Sequence, residues 1–318
     1  MKACRAAGFP VLWTLCIALC GSAHAQTQTS SSPSLSPEAN WTLCDDKDPE
    51  ISIAGCNAVI QSRRDKGRRL ATAYAQRGTA YLGLQDYDRA LQDFSDAIKT
   101  DPTYAKAFAN RGAVYAAKQE FDEAIKDFDA VVKLGPKNPN AFYDRASMFR
   151  LTGEFDRAIQ DYTAAIALNP SFVDALSNRA GTLAGTKRCA EAIQDFTRVI
   201  ELNPKDALAL VDRGVCRETL GRDDLALADF NAHLALDPKS SYGLERRAAV
   251  FFRAGNLDGA LADYAQAVLI NPNSTRALYG RGVAKRRKGD VRGGDADIET
   301  AKALRPNVVE EMASQGIQ

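Results

Sequence analysis

The sequence predicts an all-α protein in which seven tandem helix–turn–helix repeats stack into an α-solenoid. The first observation is a proline that recurs every 34 residues, from Pro102 to Pro306. The second is that small side chains recur at two other positions of the same period, and an aromatic side chain at a third. A fixed period of this length is typical of solenoids, in which each unit contacts only its neighbours. The repeats occupy residues 71–308.

Each repeat is predicted to contain two helices. With the recurring proline as position 32, positions 4, 8 and 11 form one apolar stripe and positions 20, 24 and 27 a second, at the spacing of amphipathic helices. Small residues at positions 8 and 20 let the two backbones approach, and the aromatic residue at position 24 fills the remaining space. The proline, mostly preceded by Asn or Asp, ends the second helix. In repeat 2 the stripe residues are Phe108, Gly112, Tyr115, Ala124, Phe128 and Val131.

This pattern resembles the tetratricopeptide repeat (TPR) family, whose helix–turn–helix unit has the same length and the same small and aromatic positions. The resemblance covers about three-quarters of the chain. It implies a right-handed superhelix in which the first helices line a concave groove. The overall organisation also resembles that of exported bacterial TPR proteins.

Two charged positions are identical in all seven repeats. Position 7 is arginine in each (Arg77, Arg111, Arg145, Arg179, Arg213, Arg247, Arg281), and position 23 is aspartate (Asp93, Asp127, Asp161, Asp195, Asp229, Asp263, Asp297). Antiparallel helices place these positions at the same height, so a bidentate ion pair within or between repeats is expected. A line of arginines that binds an anionic ligand is the alternative. The equal number of aspartates favours the structural ladder.

Residues 1–25 have the features of a secretory signal peptide. Lys2 and Arg5 form its charged start, residues 11–19 its apolar run, and Ala25 the end of its cleavage site. The mature protein is therefore expected to be exported, and periplasmic if the source is bacterial. Residues 26–40, rich in Ser, Thr and Pro, are predicted to be a disordered linker.

A capping element is predicted at each end of the repeats. Asp48 followed by Pro49 predicts a helix start, with the aspartate as N-cap and the proline at the first helical position. The helix should extend to Ser62 and match the second helix of a repeat, so residues 41–70 are interpreted as a half-repeat that covers the N-terminal end. Residues 309–318 are predicted to be a C-terminal cap or tail, with a short helix over repeat 7.

Four of the seven cysteines remain once the signal is removed: Cys44, Cys56, Cys189 and Cys216. An even number in an exported chain favours disulfides. Cys44 and Cys56 flank the start of the capping helix and are predicted to pair. Cys189 and Cys216 should meet between repeats 4 and 5 and form a second disulfide. Buried, unreactive thiols are the alternative.

The residues of catalytic sites are scarce. His233 is the single histidine outside the signal, and no Cys-x-x-Cys, phosphate-binding glycine loop or Gly-x-Ser-x-Gly motif occurs. The adjacent carboxylates Asp223-Asp224 and Glu310-Glu311 fall at helix starts or exposed ends, where they should stabilise helix dipoles or face solvent. No enzymatic activity, cofactor or metal site is expected.

The TPR resemblance places positions 2, 5, 6, 9, 12 and 13 in the groove. These positions are small or uncharged in repeats 1 and 2, but aromatic and basic in repeats 6 and 7. Arginine and aromatic side chains suit an acidic peptide or protein segment. A solvated cationic helix end is the alternative interpretation of the basic cluster. The candidate partner-binding residues are Tyr242, Arg246, Phe252, Arg253, Arg276, Tyr279, Arg286 and Arg287.

Charge narrows the class of partner. Of the chain's 41 basic side chains the signal removes Lys2 and Arg5, which leaves 39 against 40 acidic ones. A balanced exported chain is a poor nucleic-acid binder. The first hypothesis is therefore a non-catalytic periplasmic scaffold that binds peptide or protein partners in its groove. The alternative is a binder of anionic cell-envelope polymer through the basic C-terminal repeats.

Overall fold

The structure is a computed structural model that describes residues 35–318. The predicted signal peptide and most of the predicted linker lie outside this range. The described residues form seventeen α-helices and no β-strands. Every helix among them is too short or too polar to span a lipid bilayer.

The N-terminal cap is a helical hairpin of α1 (Pro37–Cys44) and α2 (Pro49–Ser62). The Asp48 side chain accepts hydrogen bonds from the backbone N–H groups of Glu50 and Ile51, so the predicted start of α2 is confirmed. The predicted end of the linker at residue 40 is wrong, because α1 begins at Pro37. Residues 37–40 form the first turn of α1, because the Ser36 hydroxyl accepts a bond from the Ala39 N–H and caps the helix there.

The first helices of the seven repeats are thirteen residues long, except in repeat 1, where the helix begins four residues before position 71. They are α3 (Gly67–Gly83), α5 (Ala105–Ala117), α7 (Pro139–Leu151), α9 (Val173–Gly185), α11 (Ala207–Thr219), α13 (Ser241–Arg253) and α15 (Thr275–Arg287).

The second helices each contain fourteen residues and end two residues before the recurring proline, as predicted. They are α4 (Tyr87–Thr100), α6 (Phe121–Leu134), α8 (Phe155–Leu168), α10 (Cys189–Leu202), α12 (Asp223–Leu236), α14 (Leu257–Ile270) and α16 (Val291–Leu304). A further short helix, α17 (Val308–Ala313), follows repeat 7.

The small and aromatic positions pack as the period predicts. The ring of Phe230, which is fully buried, lies against the backbone of Gly214, where an added Cβ would come within 2.6 Å of the ring. The Phe128 ring lies against Gly112 in the same way, at 3.2 Å. The small residue at position 8 therefore makes room for the aromatic residue at position 24 of the same repeat.

The seven arginine–aspartate pairs form within repeats, which confirms the structural ladder. In each pair Nε and Nη2 of the arginine donate to the two carboxylate oxygens, as in Arg77–Asp93 at 2.8 and 2.7 Å. The seven aspartates are at most 8% exposed. In repeats 5 and 7 a second cation at position 11, Arg217 or Lys285, binds the same aspartate at 2.8 Å. At position 11, where the other repeats carry Tyr, Phe or Leu, these two repeats therefore have an ion pair with the position-23 aspartate.

The same arginines also connect neighbouring repeats. Nη1 of Arg111 donates to the Ser95 hydroxyl at 3.0 Å, and that serine lies at position 25 of the preceding repeat. The equivalent bond to the preceding repeat is made by Arg145, Arg179, Arg213 and Arg247. Arg77 makes the corresponding bond to Asn57 in α2. Position 25 before Arg281 is Ala265, which cannot accept a side-chain bond. The connection between repeats 6 and 7 therefore lacks this bond.

The first helices lie on the inner side of the solenoid. The second helix of each repeat packs on the first helix of the next, and first helices such as α7 and α9, or α13 and α15, also touch each other. Within residues 35–318, consecutive second helices contact each other less than these first helices do. Because elements on the inner side of a curved stack are closer together, the first helices line its concave face.

Candidate functional site

The concave face is open and largely uncharged over the first two repeats. Its inward positions include Thr72, Gln76, Thr79, Asn110 and Ala113, of which Thr79 and Ala113 are exposed. The Asn110 amide donates to the Thr79 hydroxyl at 3.3 Å, so one bond crosses from repeat 2 to repeat 1. The five inward residues named above are small or uncharged, and none of them forms an ion pair.

A cleft of about 200 Å³ opens between repeats 3 and 4. Arg150 and Phe155 line one side and Asn178, Gly181 and Gly185 the other. The Phe155 side chain is 43% exposed, and an added Cβ on Gly181 would meet no atom within 4 Å. The glycines therefore leave a recess beside an exposed aromatic ring, which is a surface suited to an apolar side chain of a partner.

A partly buried carboxylate lies on the same face. Asp144 is at inward position 6 of repeat 3, and burial raises its pKa to about 6. Burial is the only cause of this shift, and within residues 35–318 no side chain forms a hydrogen bond or ion pair with Asp144. Beside it, the Tyr143 hydroxyl accepts a bond from the Asn178 amide at 3.0 Å. Asp144 is thus a carboxylate that a cationic or N–H-bearing partner could satisfy.

The basic end of the concave face is built differently. Arg253 donates to Glu218 at 3.0 Å and to Asp223 at 2.9 Å, and Arg246 reaches Glu218 at 3.4 Å. The Tyr242 ring lies under the Arg246 guanidinium, 5.1 Å from centroid to Cζ. Two of the predicted partner-binding arginines, Arg246 and Arg253, are therefore already neutralised by carboxylates of repeat 5.

The C-terminal segment binds two more of the predicted arginines. Arg276 contacts Glu311 at 3.3 Å and donates to the Gln315 side-chain oxygen at 2.6 Å. Arg287 donates to the backbone oxygen of Gln318 at 2.9 Å. The interpretation of Glu311 as a helix-end or solvent-facing residue is thus incomplete: it lies in the first turn of α17 and also pairs with repeat 7.

The remaining candidates divide into covered and exposed residues. Phe252 and Tyr279 are 1% and 7% exposed and belong to one apolar cluster with Met312 and Ile317. Arg286 stays half-exposed near Asp295, at 3.4 Å. The structure therefore brings the predicted residues onto one surface, but the chain's own C-terminal segment covers its apolar part. The apolar and acidic residues that follow Pro306 were the sequence signal for this cover.

The cysteines occupy the two predicted regions. The structure joins the sulfur atoms of Cys44 and Cys56, whose Cα atoms are 4.4 Å apart. It keeps Cys189 and Cys216 as thiols, both buried in one apolar cluster between repeats 4 and 5. Burial, together with the neighbouring Cys189 thiol, raises the pKa of Cys216. The second predicted disulfide is therefore not formed in the structure, although the two residues meet where it was expected.

His233 is a packing residue in the described chain. It is 3% exposed, and its Nδ1–H donates a hydrogen bond to the backbone oxygen of Ala207 at 2.7 Å. Residues 35–318 hold no group of three or more His, Cys, Asp or Glu side chains arranged to bind a metal ion.

Comparison with known proteins identifies the repeat. A family model described as tetratricopeptide repeat matches residues 75–139, 143–196, 182–241 and 246–293. The chain belongs to the tetratricopeptide repeat family. The TPR fold indicates a role in protein–protein interaction. A search of curated proteins found no match.

Solved TPR structures resemble this chain at low sequence identity. The C-terminal part of a TPR protein from Cytophaga hutchinsonii is 18% identical, with a TM-score of 0.65 over 76% of this chain and 98% of that one. A TPR protein from Parabacteroides merdae is 20% identical, with a TM-score of 0.56 over 78% and 99%. YrrB, described as having an unusual peptide-binding site, is 21% identical, with a TM-score of 0.55 over 59% and 97%. These similarities show the shared fold.

Proposed function

We propose that this TPR protein is an exported, non-catalytic scaffold that binds peptide or protein segments along its concave groove. The observation that carries the proposal is the open inner face of repeats 1–4, with its recess between repeats 3 and 4. A face with few charges, an exposed aromatic ring and a glycine-lined recess can accept a partner's backbone and one apolar side chain. The proposed export rests on the signal-like residues 1–25.

The basic C-terminal repeats give less support to binding of an anionic polymer. Polymer binding needs cations that are free to meet it. Within the described chain, Arg281 and Lys285 share Asp297, and Lys288 contacts Asp258. Arg276 pairs with Glu311. Because most of the cluster has internal acidic partners, we retain protein binding as the proposed function.

A substitution in the recess tests the proposal. Gly181→Arg in the full chain should project into the cleft without displacing a neighbour, because space around its Cβ is open. The immobilised chain would be cross-linked to proteins of a cell-envelope extract. We expect a defined partner to be retained by wild type and reduced at least about tenfold by Gly181→Arg.

The matched control is Leu269→Arg, which adds the same side chain at a position of α14 that is 74% exposed. This variant should retain the partner at the wild-type level. Equal retention by wild type and Gly181→Arg would place the binding surface outside the recess. Retention of no protein by wild type would contradict the proposed function.

A further inference from the structure

The C-terminal segment, residues 308–318, does not continue the stack. In the repeats, a first helix packs on the second helix of its own repeat and, less extensively, on the second helix of the preceding repeat. The short helix α17 instead packs mainly on α15, the first helix of repeat 7, and touches α16 less. Since the first helices line the concave face, the C-terminal segment lies inside the groove rather than beyond its end.

The groove holds this segment by contacts of the kind that bind a peptide. Arg276 contacts the Glu311 carboxylate and the Gln315 side chain. Arg253 donates to the backbone oxygen of Gln315 at 3.3 Å, and Arg287 to that of Gln318 at 2.9 Å. Three arginines from two repeats therefore bind one acidic side chain and two backbone oxygens.

Two apolar side chains anchor the segment. Met312 is 2% exposed and Ile317 is fully buried, and both join the cluster that contains Phe252, Tyr279 and Val283 of the first helices. Burial of these apolar side chains favours the docked position of the segment. The anchors lie five residues apart, on either side of a turn at Gly316, where φ is +77°.

The C-terminal segment does not completely fill the part of the groove in which it lies. A cavity of about 480 Å³ remains between residues 314–316 and the first helices of repeats 5 and 6. Arg246, whose side chain lines this cavity, has a buried Nε with no hydrogen-bond partner in residues 35–318. Because an unpartnered buried donor is unfavourable, a ligand with a hydrogen-bond acceptor at the Arg246 Nε would gain a bond that the segment does not make.

We propose that residues 308–318 are an intramolecular ligand that blocks the basic end of the groove, and that this end binds a partner peptide of the same chemistry. That chemistry is an acidic residue next to an apolar anchor, with a second apolar anchor five positions later, as in Glu311, Met312 and Ile317. The inference rests on the proposed function, and it adds the class of ligand and its control. Three residues link α16 to α17, so the tethered segment has a high effective concentration and an external peptide must displace it.

Peptide binding in trans tests this proposal. The full chain with Ile317→Asp places a charge in the buried seat and should release the segment. A fluorescent peptide with the sequence of residues 307–318 would be titrated by anisotropy into this variant and into wild type. We expect binding to the variant to be at least about tenfold tighter, because in wild type the seat is occupied. A peptide carrying Glu311→Lys should bind at least about tenfold more weakly, because Arg276 would repel it.

Equal affinity of the peptide for both chains, or no binding to an Ile317→Asp chain that keeps its helical circular dichroism, would overturn the proposal. Should that variant lose its helical signal, hydrogen exchange of wild type decides the matter. The Ile317 amide, which donates to the Met312 oxygen, should exchange at least about 100-fold faster than the Val283 amide in α15. If both amides exchanged at the same rate, the C-terminal segment would be a permanent cap and the proposal would be wrong. Failure of this test would not contradict the proposed function, which Gly181→Arg tests separately at the recess between repeats 3 and 4.

Discussion

Arg145 and Asp161 are joined by two parallel hydrogen bonds, from Nε to Oδ2 at 2.6 Å and from Nη2 to Oδ1 at 2.8 Å. The remaining Nη1 donates to Asp129 of the preceding repeat at 2.7 Å. These bonds raise the pKa of Arg145 above its ordinary value. One guanidinium thus fixes its own hairpin and its neighbour, and the same arrangement recurs along the stack.

Asp161→Ala should destabilise the protein by about 2–4 kcal/mol, because it leaves a largely buried arginine without its bidentate partner. Urea unfolding followed by circular dichroism would measure the loss. The control is Glu154→Ala, which removes an exposed partner of Arg157 and should change stability little, because solvent screens the pair. Similar losses in the two variants would show that the ladder contributes no more than a surface pair.

The Cys44–Cys56 pairing is expected in the chain after its proposed export. Mass mapping without reduction should find the two cysteines in one linked fragment. Reduction should free α1 first, since an eight-residue helix is not stable alone. A closed loop of this length contributes about 3 kcal/mol. Hydrogen exchange in α1 of a Cys44→Ser, Cys56→Ser chain would therefore be faster, while exchange in repeat 4 stays unchanged. Two unlinked thiols at these positions would contradict the pairing.

The pairing of Cys189 with Cys216 remains a prediction. Both are buried in one cluster, and burial with the neighbouring thiol raises the pKa of Cys216, so neither should react with a thiol reagent in the folded chain. After denaturation without reductant, chain isolated from the cell envelope should show no free thiol, because the two cysteines meet in one cluster where a disulfide can form. Two free thiols in that chain would contradict the pairing.

Asp144→Asn should change stability in a pH-dependent way. Burial raises the pKa of Asp144 to about 6 in the folded chain, so the folded state keeps a proton that the unfolded state has released. Its contribution to stability is present at low pH and lost as the pH rises through about 6. The substitution should therefore raise the melting temperature at pH 7.5 and have little effect at pH 4. Asp174→Asn, at an exposed inward position of repeat 4, is the control and should change little at either pH. An equal effect of Asp144→Asn at both pH values would contradict the assigned cost of the buried charge.

Periodicity predicted most of the fold because each repeat meets the next in the same way. Gly214 and Phe230 could be paired from the period alone, and so could Arg145 and Asp161. The bond that six of the seven arginines donate to the preceding repeat or capping helix was missed, although position 25 is mostly polar and could have indicated it. Its detection needed the neighbouring helix, since Arg145 and Asp129 belong to different repeats.

The sequence alone determined the seven-repeat architecture, the arginine–aspartate ladder, the meeting of the cysteines and the inward placement of the candidate residues. Only the tertiary structure decided that the basic end of the groove is occupied. Arg253 and Gln315 are 62 residues apart, and residues 308–318 follow no period that fixes their neighbours. A repeating segment is positioned by its equivalents, whereas a non-repeating one is positioned by the surface that pairs its charges and buries its apolar side chains.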